Sequence, residues 1–85
     1  MSKYIPKFTK HALRDFKSLS PKLKQKLWYI IVEILLENPF DGKKLHGDKD
    51  GEYSYRLTIK DRIVYRVDQQ EKVLYFKRVR SHYGD

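Results

Sequence analysis

Arg80, His82 and Tyr83 stand together in "RSHY", residues 80–83 of this 85-residue sequence. An imidazole titrates near neutrality, a guanidinium grips two oxygens of one phosphate, and a phenol ring stacks on an unpaired base. Groups of this kind suit phosphodiester cleavage in RNA. The reaction needs a base to take the 2′-hydroxyl proton, positive charge on the pentavalent phosphorane and an acid to protonate the leaving 5′-oxygen. Each acid–base group contributes about 10²–10⁴ in rate. Neither a metal nor another cofactor is needed.

Other chemistries find little support. His11, His46 and His82 make a poor metal set, so no metal centre is expected. No glycine-rich loop precedes a helix, which argues against a nucleotide cofactor. Ser81 and His82 are neighbours, and neighbours on an extended strand point to opposite faces, which argues against a serine triad. The absence of cysteine excludes disulfides and thiolate chemistry and fits a reducing cytosol. No apolar run has the length of a membrane span, and "MSKYIPKFTK" carries no signal-peptide apolar segment. A soluble cytoplasmic protein without a membrane partner is expected, with residues 1–85 forming one domain.

The formal charge is +8, unevenly spread. Residues 1–28 hold eight cations and one anion, residues 29–52 three cations and six anions, and residues 53–85 eight cations and four anions. Such a field favours a polyanion: nucleic acid, a ribosome or an acidic protein.

The elements that must position these groups can be read from periodicity. "KYIPKF" (3–8) reads as a strand that Pro6 confines to an edge or irregular end. Thr9 caps a helix over "KHALRDFKSL". Ser20 caps a second, "SPKLKQKLWYIIVEILLENP", with Pro21 at its first position and Asn38-Pro39 as its stop. Leu23, Leu27, Ile30, Ile31, Ile34 and Leu35 give this helix a buried face, and Trp28 reads as structural. Lys22, Lys24 and Lys26 form a solvated basic face or a contact to ribosomal RNA.

Residues 40–52 read as a loop. The period then changes to two, giving strands at 53–59, 62–67 and 72–80, joined by turns at 60–61 and 68–71. Tyr53, Tyr55, Leu57 and Ile59 share one face, as do Ile63, Tyr65 and Val67. The order β-α-α-β-β-β defines an α+β fold. Its antiparallel meander is covered on one face by two helices, and the N-terminal strand pairs beside the last. The other face is open and cationic: Arg56, Arg62 and Arg66, joined by Arg78, Arg80 and His82.

With these residues in place, the sequence resembles the YoeB/Txe-type toxins of the RelE/ParE superfamily. "GEYSYRLTIKDRIVYRV" (51–67) is similar to their stretch of glycine, aromatic pair, serine, paired arginines and Arg-Leu-Val-Tyr. "RSHY" is similar to their closing Arg-x-His-Tyr, and "ENPFDGKKLHG" (37–47) to their Pro-Phe-x-Gly loop and to the Lys-Leu-Arg-Gly of RelE. The resemblance implies a small RelE-like fold and the toxin of a type II toxin–antitoxin pair. It implies metal-independent cleavage of mRNA in the ribosomal decoding site, with 16S rRNA and a cognate antitoxin as partners; some such toxins form homodimers.

Carried over by position, Arg62 would stabilise the scissile phosphate, His82 would be the general acid and Tyr83 would orient the substrate. Arg56 matches one of the paired arginines; the cations Arg66, Arg78 and Arg80 of the open face and Lys44 of the loop would bind RNA beside it. Lys43 stands where those toxins place a general-base glutamate, so Lys43, Lys44 and His46 all remain candidates for the base. Gly84-Asp85 would be a dispensable tail. Two other readings share this fold: a non-enzymatic protein inhibitor of DNA gyrase like the ParE branch, and a plain RNA-binding module with a steep salt dependence.

Overall fold

Local capping starts both helices where the sequence places them. In a computed structural model, which describes residues 3–45 and 51–79, Thr9 Oγ1 accepts from the Ala12 N–H at 3.1 Å and Ser20 Oγ from the Leu23 N–H at 3.3 Å. Each cap satisfies one backbone donor that a helix start leaves unpaired. Helix α1 spans Lys10–Ser18 and α2 spans Pro21–Tyr29. From Ile30 to Leu35 the second helix widens into π-helical turns, in which the Leu36 N–H bonds the Ile31 carbonyl at 2.9 Å. The widened segment buries Ile30, Ile31 and Leu35 in the core beside Leu27.

The strands are β1 (Ile5–Phe8), β2 (Lys43–Lys44), β3 (Glu52–Arg56), β4 (Arg62–Asp68) and β5 (Val73–Arg78). They form one sheet in the order β1-β5-β4-β3-β2. As expected, β3, β4 and β5 are an antiparallel meander and β1 lies beside β5, to which it is parallel. Register fixes which side chains share a face. Tyr53 and Tyr65 are cross-strand partners, as are Tyr65 and Phe76, and Val67 and Leu74. This face packs under the helices around a core that includes Ala12, Leu27, Ile31, Leu35, Tyr65, Leu74 and Phe76. Phe8 stacks on Phe76 and Tyr53 on Tyr65, extending the aromatic seam toward both sheet edges.

Three expectations change. The loop 40–52 contains the short strand β2, whose two residues pair with Tyr53 and Ser54. The strand expected over 53–59 ends at Arg56, because Thr58 draws residues 57–61 into a turn. Ile59 therefore leaves the core face and is 88% exposed. The turn after β4 begins beyond Asp68 and ends on Lys72, whose φ of 58° is left-handed and whose ammonium lies 5.1 Å from the Tyr4 ring. Among the described residues, no helix is long and apolar enough to cross a membrane.

Candidate functional site

Strand register brings the first two cationic groups together. Arg56 on β3 is the direct cross-strand partner of Arg62 on β4. Such partners have Cβ atoms about 4.5–5.5 Å apart, and like charges there are destabilising. Glu52 shows the ordinary arrangement at the other end of β3. It opposes Arg66, and its carboxylate holds the Lys77 ammonium at 2.7 Å. The Arg56–Arg62 pair lies at the edge of an open cleft of about 610 Å³. Lys43 of β2 and Lys26 of α2 line the same cleft, so four cations converge there with one carboxylate, Asp41. Ser54, Tyr55 and Thr58 supply further polar atoms.

Two local devices hold the cleft walls. At one end, Thr58 Oγ1 accepts from the Asp61 and Lys60 N–H groups at 2.9 and 3.1 Å and donates to the Asp61 carboxylate at 3.1 Å. Leu57 and Thr58 N–H groups both bond the Asp61 carbonyl, which closes the turn between Arg56 and Arg62. At the other end, Tyr65 passes its hydroxyl through the core to donate to the Pro39 carbonyl at 2.7 Å. Pro39 opens a 3₁₀ turn, Pro39–Asp41, that leads into β2. Gly42 follows against the Tyr65 hydroxyl and 2.7 Å from the Ser54 carbonyl by its would-be Cβ, so no side chain fits there. Burial pushes the Tyr65 phenol well above its usual range; the neighbouring Gly42 amide opposes this and the Asp41 charge adds to it.

The sequence-predicted residues divide. Arg56, Arg62 and Lys43 meet in the cleft. Lys44 pairs with Tyr53 and so sits on the opposite face of β2 from Lys43, which pairs with Ser54. Arg66 shares the open face but stands opposite Glu52, away from the cleft lining. Arg78 is bound through Nε to the Asp15 carboxylate of α1 at 2.7 Å. His46, Arg80, His82 and Tyr83 lie outside the described residues. Sequence reasoning missed Asp41, and it read Lys26 as part of a lysine face without linking it to the arginines. Neither has a local signature, because they come from α2 and the 3₁₀ turn, far in sequence from the β3 and β4 residues with which they line the cleft. Among the described residues, no cluster of three His, Cys, Asp or Glu could hold a metal ion.

A second concavity lies at the other end of the sheet order. Phe8, Leu13, Phe16 and Trp28 line an apolar groove of about 450 Å³ where α1 and α2 meet β1. Trp28, expected to be structural, is 48% exposed there. Lys10, Arg14 and Lys17 border the groove along α1 around Leu13, and the Lys24 ammonium lies 5.9 Å from the Phe16 ring.

Comparison with known proteins gives the arrangement a family. No curated protein sequence matches the chain. Its fold is similar to a chain of the RelBE2 toxin–antitoxin complex from Mycobacterium tuberculosis, with TM-score 0.82 and 27% identity over 94% of this chain and 99% of that one. It is similar to a chain of the E. coli RelBE complex, with TM-score 0.81 and 27% identity over 93% and 96% of the two chains. The same holds for a YoeB/ParE toxin from Agrobacterium tumefaciens, with TM-score 0.80 and 27% identity over 93% and 99%. The family model described as the ParE toxin of the type II toxin–antitoxin system parDE matches residues 7–85. The chain therefore belongs to the ParE toxin family, within the RelE/ParE/YoeB superfamily of type II toxin–antitoxin toxins.

Proposed function

We propose that this toxin is a ribosome-dependent endoribonuclease that cuts mRNA in the decoding site. The observation that carries the reading is the direct opposition of Arg56 and Arg62 at the edge of a cleft that also holds Lys26 and Lys43. Four cations gathered with a single carboxylate, Asp41, leave an excess of positive charge that repels itself unless a further anion binds. A local conflict of this kind is expected where function rather than stability selects the residues. A phosphodiester resolves it. Arginine forks bind two non-bridging oxygens each, and their charge stabilises the phosphorane more than the ground-state diester.

In this mechanism the 2′-oxygen attacks phosphorus as a base removes its proton. The P–O5′ bond breaks and the 5′-oxygen takes a proton from His82, leaving a 2′,3′-cyclic phosphate and a 5′-hydroxyl. Arg62 and Arg56 hold the phosphate, and Tyr83 orients the nucleotide. Arg80 and the outlying Arg66 add attraction for the RNA backbone, and 16S rRNA is the surrounding contact. The reaction would take place in the cytoplasm.

A cognate antitoxin is the second partner. Toxin–antitoxin complexes are among the similar structures, and the apolar groove with its cationic border suits an amphipathic helix with acidic flanks. The ParE family match favours one competing reading, a non-enzymatic inhibitor of DNA gyrase. Incubating the toxin with ribosomes translating a defined message separates the two. Endonuclease action gives new 5′ ends within codons in the decoding site, only when ribosomes are present. An intact message together with inhibited gyrase supports the competing reading.

A further inference from the structure

We infer that Asp41 is the general base of this site, an inference that rests on the RNA-cleaving reading above. The chemistry calls for a group with a free lone pair next to the 2′-hydroxyl. Ammonium and guanidinium groups are donors only at neutral pH, whereas a carboxylate is an acceptor only. Among the described residues lining the cleft, Asp41 is the sole carboxylate, and it shares that lining with Lys43, Arg56 and Arg62.

Structural duties occupy four other described carboxylates. Asp15 binds Arg78, Glu52 binds Lys77, Asp61 accepts from Thr58, and Asp68 accepts from the Glu71 N–H. Asp41 takes part in none of these bonds; the residue is exposed and lines the cleft. Its backbone, by contrast, is fixed. The Asp41 N–H bonds the Asn38 carbonyl at 3.1 Å, Pro39 is tied to the Tyr65 hydroxyl at 2.7 Å, and Gly42 is wedged between Tyr65 and Ser54. An acceptor on a pinned turn that shares a cleft lining with Lys43, Arg56 and Arg62 has the preorganisation that proton abstraction requires. In the step itself the 2′-hydroxyl proton passes to an Asp41 Oδ as the 2′-oxygen bonds to phosphorus and the 5′-oxygen leaves with a proton from the general acid. Asp41 then returns its proton to solvent.

The test measures single-turnover cleavage of ribosome-bound mRNA against pH for the wild type, Asp41→Asn and Asp41→Glu, with ribosome binding measured in parallel. Asp41→Asn keeps the shape and removes the basicity. It should slow cleavage by about 100-fold or more without weakening binding, and should abolish the acidic limb of the pH–rate profile. Asp41→Glu should retain that limb and recover most of the rate. An Asp41→Asn enzyme within about threefold of wild type, or one that keeps the acidic limb, overturns the assignment while leaving the endonuclease reading intact. A wild-type protein that cuts no message overturns the endonuclease reading itself, and with it the base.

Discussion

The cleft beside β3 and the groove beside β1 occupy opposite ends of one sheet, and their linings have little in common. Four cations, a carboxylate and three hydroxyl-bearing side chains line the cleft; four apolar side chains line the groove. In the cleft, like charges are held together by register and by a pinned turn, at a cost in local stability. In the groove, aromatic surface stays exposed. Each surface is unfavourable in the isolated chain, and on the function proposed above each would be relieved by a different partner: a phosphodiester in the first, an apolar helix face in the second. The chain thus keeps its cationic cleft apart from its apolar groove.

Substitutions at one surface should leave the other working. If Arg62 holds the phosphate mainly in the transition state, as proposed, Arg62→Ala should lower cleavage by about 10²–10³. Copurification with the cognate antitoxin should be unchanged. Trp28→Ala should do the reverse. A half-exposed aromatic anchor of this kind contributes about 2 kcal/mol or more at a helix-in-groove interface, so antitoxin affinity should fall at least about 30-fold, with cleavage intact. If both substitutions impair both activities equally, the two surfaces are not separate.

Stability offers subtler tests of the same contrast. Tyr65→Phe leaves the Pro39 carbonyl without its donor and should destabilise the protein by about 1 kcal/mol, read from denaturant unfolding. It should also loosen the turn that carries Asp41. The phenol's proton is bound more tightly in the folded state than in the unfolded one. Its contribution is therefore complete below the ordinary tyrosine range and is lost as pH rises through and beyond it. The wild type should lose stability on the alkaline side more steeply than Tyr65→Phe. The smallest effect is expected from Arg56→Gln. Relief of the Arg56–Arg62 repulsion should raise stability by about 0.2–1 kcal/mol, a shift of a few degrees in Tm, while cleavage weakens. A gain of stability with a loss of activity at one position would mark the arginine pair as functional.

Much of this frame was readable in the sequence because the signals are local. Thr9 and Ser20 sit three residues before the amides they cap, and period-two alternation locates the meander. Arg56 and Arg62 were placed on one face by parity alone. What escaped depends on distant partners. A two-residue strand such as β2 exists only because β3 lies beside it, and hence the opposite facing of Lys43 and Lys44 follows from register rather than from composition. Arg78 looked like another open cation, but its partner Asp15 lies 63 residues away in sequence. Ile59 continued the alternation until the Thr58 side chain diverted the backbone. Asp41 and Lys26 line the cleft from a turn and a helix distant in sequence from β3 and β4, which no spacing records.

The central claim is that this cleft cuts RNA through the 2′-hydroxyl. A message carrying a single 2′-deoxynucleotide at a mapped cleavage position, presented on ribosomes to the wild-type toxin, tests it most directly. The account predicts that cleavage vanishes at that linkage alone and persists elsewhere with 2′,3′-cyclic phosphate ends. Undiminished cutting at the deoxy linkage would contradict it.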